Sequence, residues 1–167
     1  MVRSRLASAP LVVGLLVVSS AFASATEPRA LIELFTSQGC SSCPAADKLL
    51  GELANDPSVV AISLPIDYWD YLGWKDTLAL PGHASRQRAY ARVRGDREVY
   101  TPQIVVNGTT HVLGSDRAAV ERAITVTDRN AAVMSVPVLM SVAGGILNVK
   151  ITAGNEAIGW VMSVDMN

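Results

Sequence analysis

The run Ser37-Gln38-Gly39-Cys40-Ser41-Ser42-Cys43-Pro44 carries the two cysteines of this 167-residue chain, with two residues between them. Two thiols at that spacing can staple a loop, supply half of a metal site, or cycle between dithiol and disulfide. As a staple the bridge closes a very small ring, and stabilisation from loop closure grows with ring size, so little is gained. A structural zinc site wants four ligands, and beyond the pair the chain offers His83 and His111 with no second cysteine pair. Redox exchange is the chemistry that suits the pair best.

The flanking sequence says how the pair is held. Ala30 to Thr36 is a short, largely apolar run that reads as a strand, and Pro44 to Ala54 has Leu49, Leu50 and Leu53 on one side of a helix. Pro44 suits the first helical turn, where its missing N–H costs nothing, and Ser41-Ser42 are placed to cap orphan amides. The cysteines therefore stand at a helix N-terminus, whose free amides and partial positive charge favour a thiolate. Cys40, at the outer edge of the loop, is then the nucleophile. Cys43, within the first turn, is the resolving thiol that attacks the mixed disulfide.

After the turn cluster Asn55-Asp56-Pro57, Val59 to Pro65 reads as a second buried strand, which makes a parallel crossover. An aromatic loop runs from Asp67 to Asp76. A basic helix from about Ser85 to Arg94 carries Arg86, Arg88, Arg92 and Arg94 as a solvated face. Thr101-Pro102 opens the strand Gln103 to Val106, and Asn107-Gly108 turns it into His111-Val112-Leu113, a hairpin signature. Ser115 caps a helix that runs through Asp116 to about Thr125.

Further residues invite chemistry. An X-Pro bond opening a strand beside a redox loop is a candidate cis bond that leaves the Thr101 backbone free to pair with an extended substrate; the plainer alternative is a trans proline starting a strand. Glu33 interrupts an apolar strand, either as a buried proton acceptor for the resolving thiol or as a solvent-facing edge residue. Trp69 and Trp74 either wall a substrate groove or cover the end of the sheet. Asp67, Asp70 and Asp76 lack calcium-loop spacing and read as caps or solvated loop charges. A copper site of Cys40, Cys43 and one histidine is compatible with ligand type.

Half of the residues are hydrophobic and the formal net charge is −1, which fits one globular domain and excludes a disordered tail or a nucleic-acid binder. Residues 1–25 read as a secretory signal: Arg3 and Arg5, the apolar run Leu11 to Val18, then the small residues Ala21 to Ala25. That run is well short of the ~20 residues needed to span a bilayer. Without the leader the chain is mildly acidic, and its thiols meet an oxidising compartment, periplasmic or extracellular. Residues 26–127 form the expected α/β domain with the aromatic loop inserted. Residues 128–167 form a β appendage, read as a meander that stops at Asn167 short of completion.

Taken together, ELFTSQGCSSCPAAD, DYWDYLGWKD, RQRAYAR and VYTPQIVVNG resemble the exported thioredoxin-like proteins of domain-of-unknown-function family 1223, from about Glu33 to about Val126. The resemblance implies a thioredoxin-like α/β fold, a central mixed sheet flanked by helices, with Cys40 and Cys43 at the redox position and Thr101-Pro102 at the cis-proline position. It supplies no demonstrated reaction. Ala45 stands where family members have a second proline, and members continue past this chain's end with further β structure. Compared with thioredoxin, Gly39 replaces the aromatic residue before the first cysteine.

The expected function is thus an exported thiol–disulfide oxidoreductase acting on protein or small-molecule thiols, without cofactor, metal, nucleic acid or a stable membrane span. The alternative is a binding module of the same fold, delivering copper or recognising a peptide. Redox direction and oligomeric state are not fixed by sequence, since oxidation, reduction and isomerisation use the same two sulfurs.

Overall fold

The computed structural model describes residues 28–130, 138–143, 146–151 and 162–165. The leader at 1–25 and the turn residues at 144–145 and 153–156 lie outside them. Four strands form the first sheet: β1 (Ala30–Thr36), β2 (Val59–Pro65), β3 (Gln103–Val106) and β4 (Thr110–Leu113). Their order is β2-β1-β3-β4, with β1 parallel to β2 and antiparallel to β3, and β3 antiparallel to β4. β1 sits inside the sheet and six of its seven residues are buried, as a largely apolar run requires of a strand covered on both faces.

Three helices cover this sheet: α1 (Pro44–Leu53), α2 (Pro81–Arg94) and α3 (Arg117–Asp128). Ala46, Leu49 and Leu50 of α1 and Val120, Ala123 and Ile124 of α3 pack with Ile32, Leu34, Ile104 and Val106 in one core. On the opposite face Ala84 of α2 packs with Phe35, Leu64, Ile66 and Val105, joined by Tyr68, Trp69 and Tyr90. Alternation along β1 separates the two sets, because successive side chains point to opposite faces. A mixed sheet with two helices on one face and one on the other is a thioredoxin-like α/β fold.

Several local expectations are revised. β2, expected to be buried, lies at the edge of the sheet and leaves Val60 and Ile62 exposed. α2 begins at Pro81 rather than Ser85, with proline again in the first turn. α3 is capped by Asp116, whose carboxylate accepts from the Ala119 N–H at 2.9 Å, and not by Ser115. α1 has no side-chain cap from Ser41 or Ser42; Cys43 itself occupies the N-cap position. The Asn107-Gly108 turn is as expected, both residues having positive φ (50° and 68°). Asn107 also ties the fold together: its Oδ1 accepts from Leu31 N–H at 2.7 Å and its Nδ2 donates to Thr127 Oγ1 at 2.9 Å.

The C-terminal strands β5 (Val138–Ala143), β6 (Ile146–Ile151) and β7 (Met162–Asp165) pair antiparallel in sequence order, which is a meander. Trp160, expected in the last strand, lies outside the described residues. No helix among the described residues is long and apolar enough to cross a membrane.

Candidate functional site

Cys40 and Cys43 form a disulfide with Cα atoms 5.4 Å apart, at the junction between β1 and α1. The loop folds tightly, with Cys40 N–H on Ser37 O and Cys43 N–H on Cys40 O, both at 3.1 Å. Cys43 then launches the helix, its carbonyl accepting from Ala46 and Asp47 N–H at 2.9 and 3.0 Å. Cys43 is fully buried and Cys40 retains 5% exposure. Cys40 is thus the less enclosed of the two residues. Ser42 contributes its hydroxyl 3.5 Å from Cys40 Sγ instead of capping the helix.

Thr101–Pro102 is a cis peptide bond. Pro102 is fully buried, its carbonyl accepting from Gly114 N–H at 2.9 Å. A Cβ at Gly114 would lie 3.1 Å from Ala46 Cβ and 3.2 Å from Pro102 Cβ, so the absence of a side chain there lets the proline loop close on the first turn of α1. The two loops meet a second time through Trp69. Its indole N–H donates to Thr101 Oγ1 at 2.7 Å, and a side chain at Gly39 would come within 3.3 Å of its Cβ. Trp69 thus spans from the residue before Cys40 to the residue before Pro102.

Trp74 also belongs to this neighbourhood: its indole N–H donates to Gln38 Oε1 at 3.1 Å while 62% of the residue stays exposed. Tyr71, stacked on Trp69 with ring centroids 6.3 Å apart, and Leu72 are exposed beside it. The aromatic loop is therefore part bridge and part open apolar surface. Sequence reasoning missed what fastens it. Asp76 is buried, and its carboxylate accepts from Gln38 N–H at 2.8 Å and from Leu78 N–H at 2.9 Å, while Asp70 Oδ1 accepts from Asp76 N–H at 3.1 Å. Its signal was the cap reading of the aspartates; what the sequence lacked was the capped partner, 38 residues away.

Glu33 has other partners than the one expected. It is 2% exposed and lies on the α2 face, where Arg86 Nε donates to Oε1 at 2.6 Å and Tyr90 OH to Oε2 at 2.5 Å. Neither cysteine is among its partners, because alternation along β1 turns residue 33 away from the face on which α1 packs. Burial, and then the Glu33 carboxylate, push the Tyr90 phenol up to about 12, and the bond to Glu33 raises Arg86. The basic helix is also less solvated than expected, since Arg94 pairs with Asp96 at 2.7 Å as well.

A second polar set surrounds the approach to the cis bond. Gln87 and Gln103 are fully buried; Gln87 Nε2 donates to Gln103 Oε1 at 2.9 Å and to Tyr100 O at 2.8 Å, and Tyr68 OH donates to Gln87 Oε1 at 3.2 Å. The histidines of the copper alternative are engaged elsewhere. His83 Nδ1 lies 2.7 Å from Pro65 O, and His111 sits between Tyr100 OH (2.9 Å) and Asp96 (3.2 Å). Among the described residues no group of three or more His, Cys, Asp or Glu is arranged to hold a metal.

Residues 31–165 match the family described as "Protein of unknown function (DUF1223)". A crystal structure of a protein from Agrobacterium tumefaciens is similar, with 41% sequence identity and a TM-score of 0.68. The similarity covers 78% of this chain and 59% of that one, so the chain spans about three fifths of that protein's length. No curated protein matches.

Proposed function

Since this chain belongs to the DUF1223 family, whose description carries no activity, we propose from its site that it is an exported thiol–disulfide oxidoreductase acting through Cys40 and Cys43. The observation that carries this is the disulfide at the start of α1, with Cys43 fully buried and Cys40 slightly less so, closed against the Thr101–Pro102 loop. Export to the periplasm or beyond is supported by the leader pattern of residues 1–25.

In the reduced protein the Cys40 thiolate, favoured by the amides and dipole of α1, attacks one sulfur of a substrate disulfide. A Cys40–substrate mixed disulfide forms and the first substrate sulfur leaves as a thiolate. Cys43, losing its proton, then attacks Cys40 Sγ, which reforms the intramolecular disulfide and releases the second substrate sulfur. The protein is oxidised by two electrons and the substrate disulfide is reduced to a dithiol. Run backwards, the same steps oxidise a substrate dithiol, and the relative potentials set the direction. An extended polypeptide can align on the Thr101 backbone beside the exposed residues Tyr71, Leu72 and Trp74.

Trapping separates the two sulfurs. Reduced Cys43→Ser is expected to accumulate mixed disulfides with disulfide substrates, one substrate sulfur leaving as a thiolate, while Cys40→Ser forms none. Adducts on Cys43 of the Cys40→Ser protein, seen by mass spectrometry, would reverse the roles; adducts on neither variant would remove the oxidoreductase reading.

A further inference from the structure

We propose that Arg88, Arg92 and Arg97 form a binding site for an acidic segment of the polypeptide whose sulfur meets Cys40, an inference that rests on the oxidoreductase reading. These residues, with Ala91 and Val99, line a surface cavity of about 230 Å³ between the flank of α2 and the loop that follows it. Positive charge is concentrated here: Arg86, Arg88, Arg92, Arg94 and Arg97 are five of the 14 Lys and Arg of the whole chain. Arg86 and Arg94 are spoken for by Glu33 and Asp96. The side chains of the three that line the cavity make no hydrogen bond or ion pair with any described residue. α2 contains no Asp or Glu, so no residue within the helix neutralises Arg88 or Arg92. Arg88 and Arg92, four apart, repel each other in that state.

The backbone brings the third charge to the other two. Arg97 takes a left-handed conformation (φ 58°) and its N–H reaches back to Ala91 O at 3.4 Å, folding the loop against the helix. Gly95, also left-handed, closes the C-terminal carbonyls of α2 through bonds to Ala91 and Arg92 O. The cavity lies on the helix flank, one turn before that negative pole. Its remaining walls, Ala91 and Val99, are apolar and suit the methylene groups of glutamate side chains.

The lining of the cavity is tied through the chain to the cis-proline loop. Gln87, next to Arg88, holds the Tyr100 carbonyl at 2.8 Å, and Val99 is two residues before Thr101. A substrate extended along Thr101 advances about 3.3 Å per residue. Acidic residues a few positions from its cysteine then fall over Arg97, Arg92 and Arg88. Guanidinium groups in this number match several carboxylates and give charge-assisted hydrogen bonds.

The test uses the full-length oxidised protein and short fluorescent peptides with serine in place of cysteine, so that binding is measured without exchange. The Glu-flanked peptide should bind about tenfold tighter than its Gln-flanked twin at low salt, equivalent to about 1.4 kcal/mol. High salt should erase the preference, because exposed ion pairs are screened. Arg88→Gln/Arg92→Gln/Arg97→Gln should abolish it, and Arg88→Glu/Arg92→Glu should turn it toward a Lys-flanked peptide. Equal binding of the two peptides by the natural protein, or an undiminished preference in the triple variant, would overturn the site. So would displacement of the Glu peptide by inorganic phosphate but not by acetate at equal ionic strength, which would mark a phosphate site. A preference that behaves as expected in a protein whose Cys40 traps no substrate supports the site and counts against the redox reading alone.

Discussion

The two faces of the four-stranded sheet are built on different chemistry. On the face covered by α1 and α3 the core is mainly apolar, Ile32, Leu34, Ile104 and Val106 meeting Leu49, Leu50, Val120 and Ile124, with the polar pairs Thr36–Asp47 and Asn107–Thr127 at its margins. On the face covered by α2 the apolar cluster of Phe35, Leu64, Ile66 and Val105 shares its space with Glu33, Gln87 and Gln103, all buried and all hydrogen-bonded. Apolar packing is non-directional and chiefly sets stability. Buried hydrogen bonds are directional, and they fasten particular segments. The redox loops draw on both. Cys43 starts the helix that packs on the apolar face, whereas the loop into Thr101 is held from the α2 face by Gln87.

Substitutions on the two faces should therefore fail in different ways. Ile32→Ala, in the apolar core, should lower unfolding stability by about 3 kcal/mol while the folded fraction exchanges disulfides at its natural rate. Gln87→Leu should cost about 1–3 kcal/mol, because it orphans the Tyr100 carbonyl and the Gln103 amide oxygen. It should also slow exchange in the folded fraction by freeing the Thr101 loop. Urea unfolding and exchange kinetics on the same samples separate the two effects. If Ile32→Ala slows exchange as much as Gln87→Leu does, the division of labour between the faces is wrong.

A smaller effect appears in alkali. Tyr90 titrates near 10.0 when unfolded and is pushed up to about 12 in the fold, first by burial and then by Glu33. A raised folded pKa means that the neutral phenol is favoured in the native state. Its stabilisation is complete below about pH 10 and is lost as pH rises through about 12. Tyr90→Phe should flatten the fall in stability across that window without removing it, because burial also raises Tyr68 and Tyr100. Ile32→Ala should instead shift the whole profile down with its shape unchanged. An identical alkaline slope in the natural protein and Tyr90→Phe would show that the Glu33 cluster carries no such linkage.

What was legible in the sequence follows from range. β1 and β2 begin and end where the apolar runs do, since each is bounded by turn residues. The cysteine loop, the helix after it, the cis bond and the Asn107-Gly108 turn are local patterns whose meaning lies within a few residues. α2 was misjudged at its start because its arginines conceal the helical period, although Pro81 marks the first turn and Ala84 is fully buried. Glu33 could not be assigned from sequence, because its partners Arg86 and Tyr90 lie 53 and 57 residues away. Asp76 and Trp69 likewise become positioning residues only when the crossover folds their loop against Gln38 and Thr101.

The central claim is that Cys40 and Cys43 are a working redox couple rather than a staple. Equilibrating the protein in dithiol–disulfide buffers of known potential and counting free thiols measures this directly. The expected midpoint lies between about −270 and −120 mV, the span of catalytic couples. A midpoint below about −300 mV, in the range of structural disulfides that resist reduction, would contradict it.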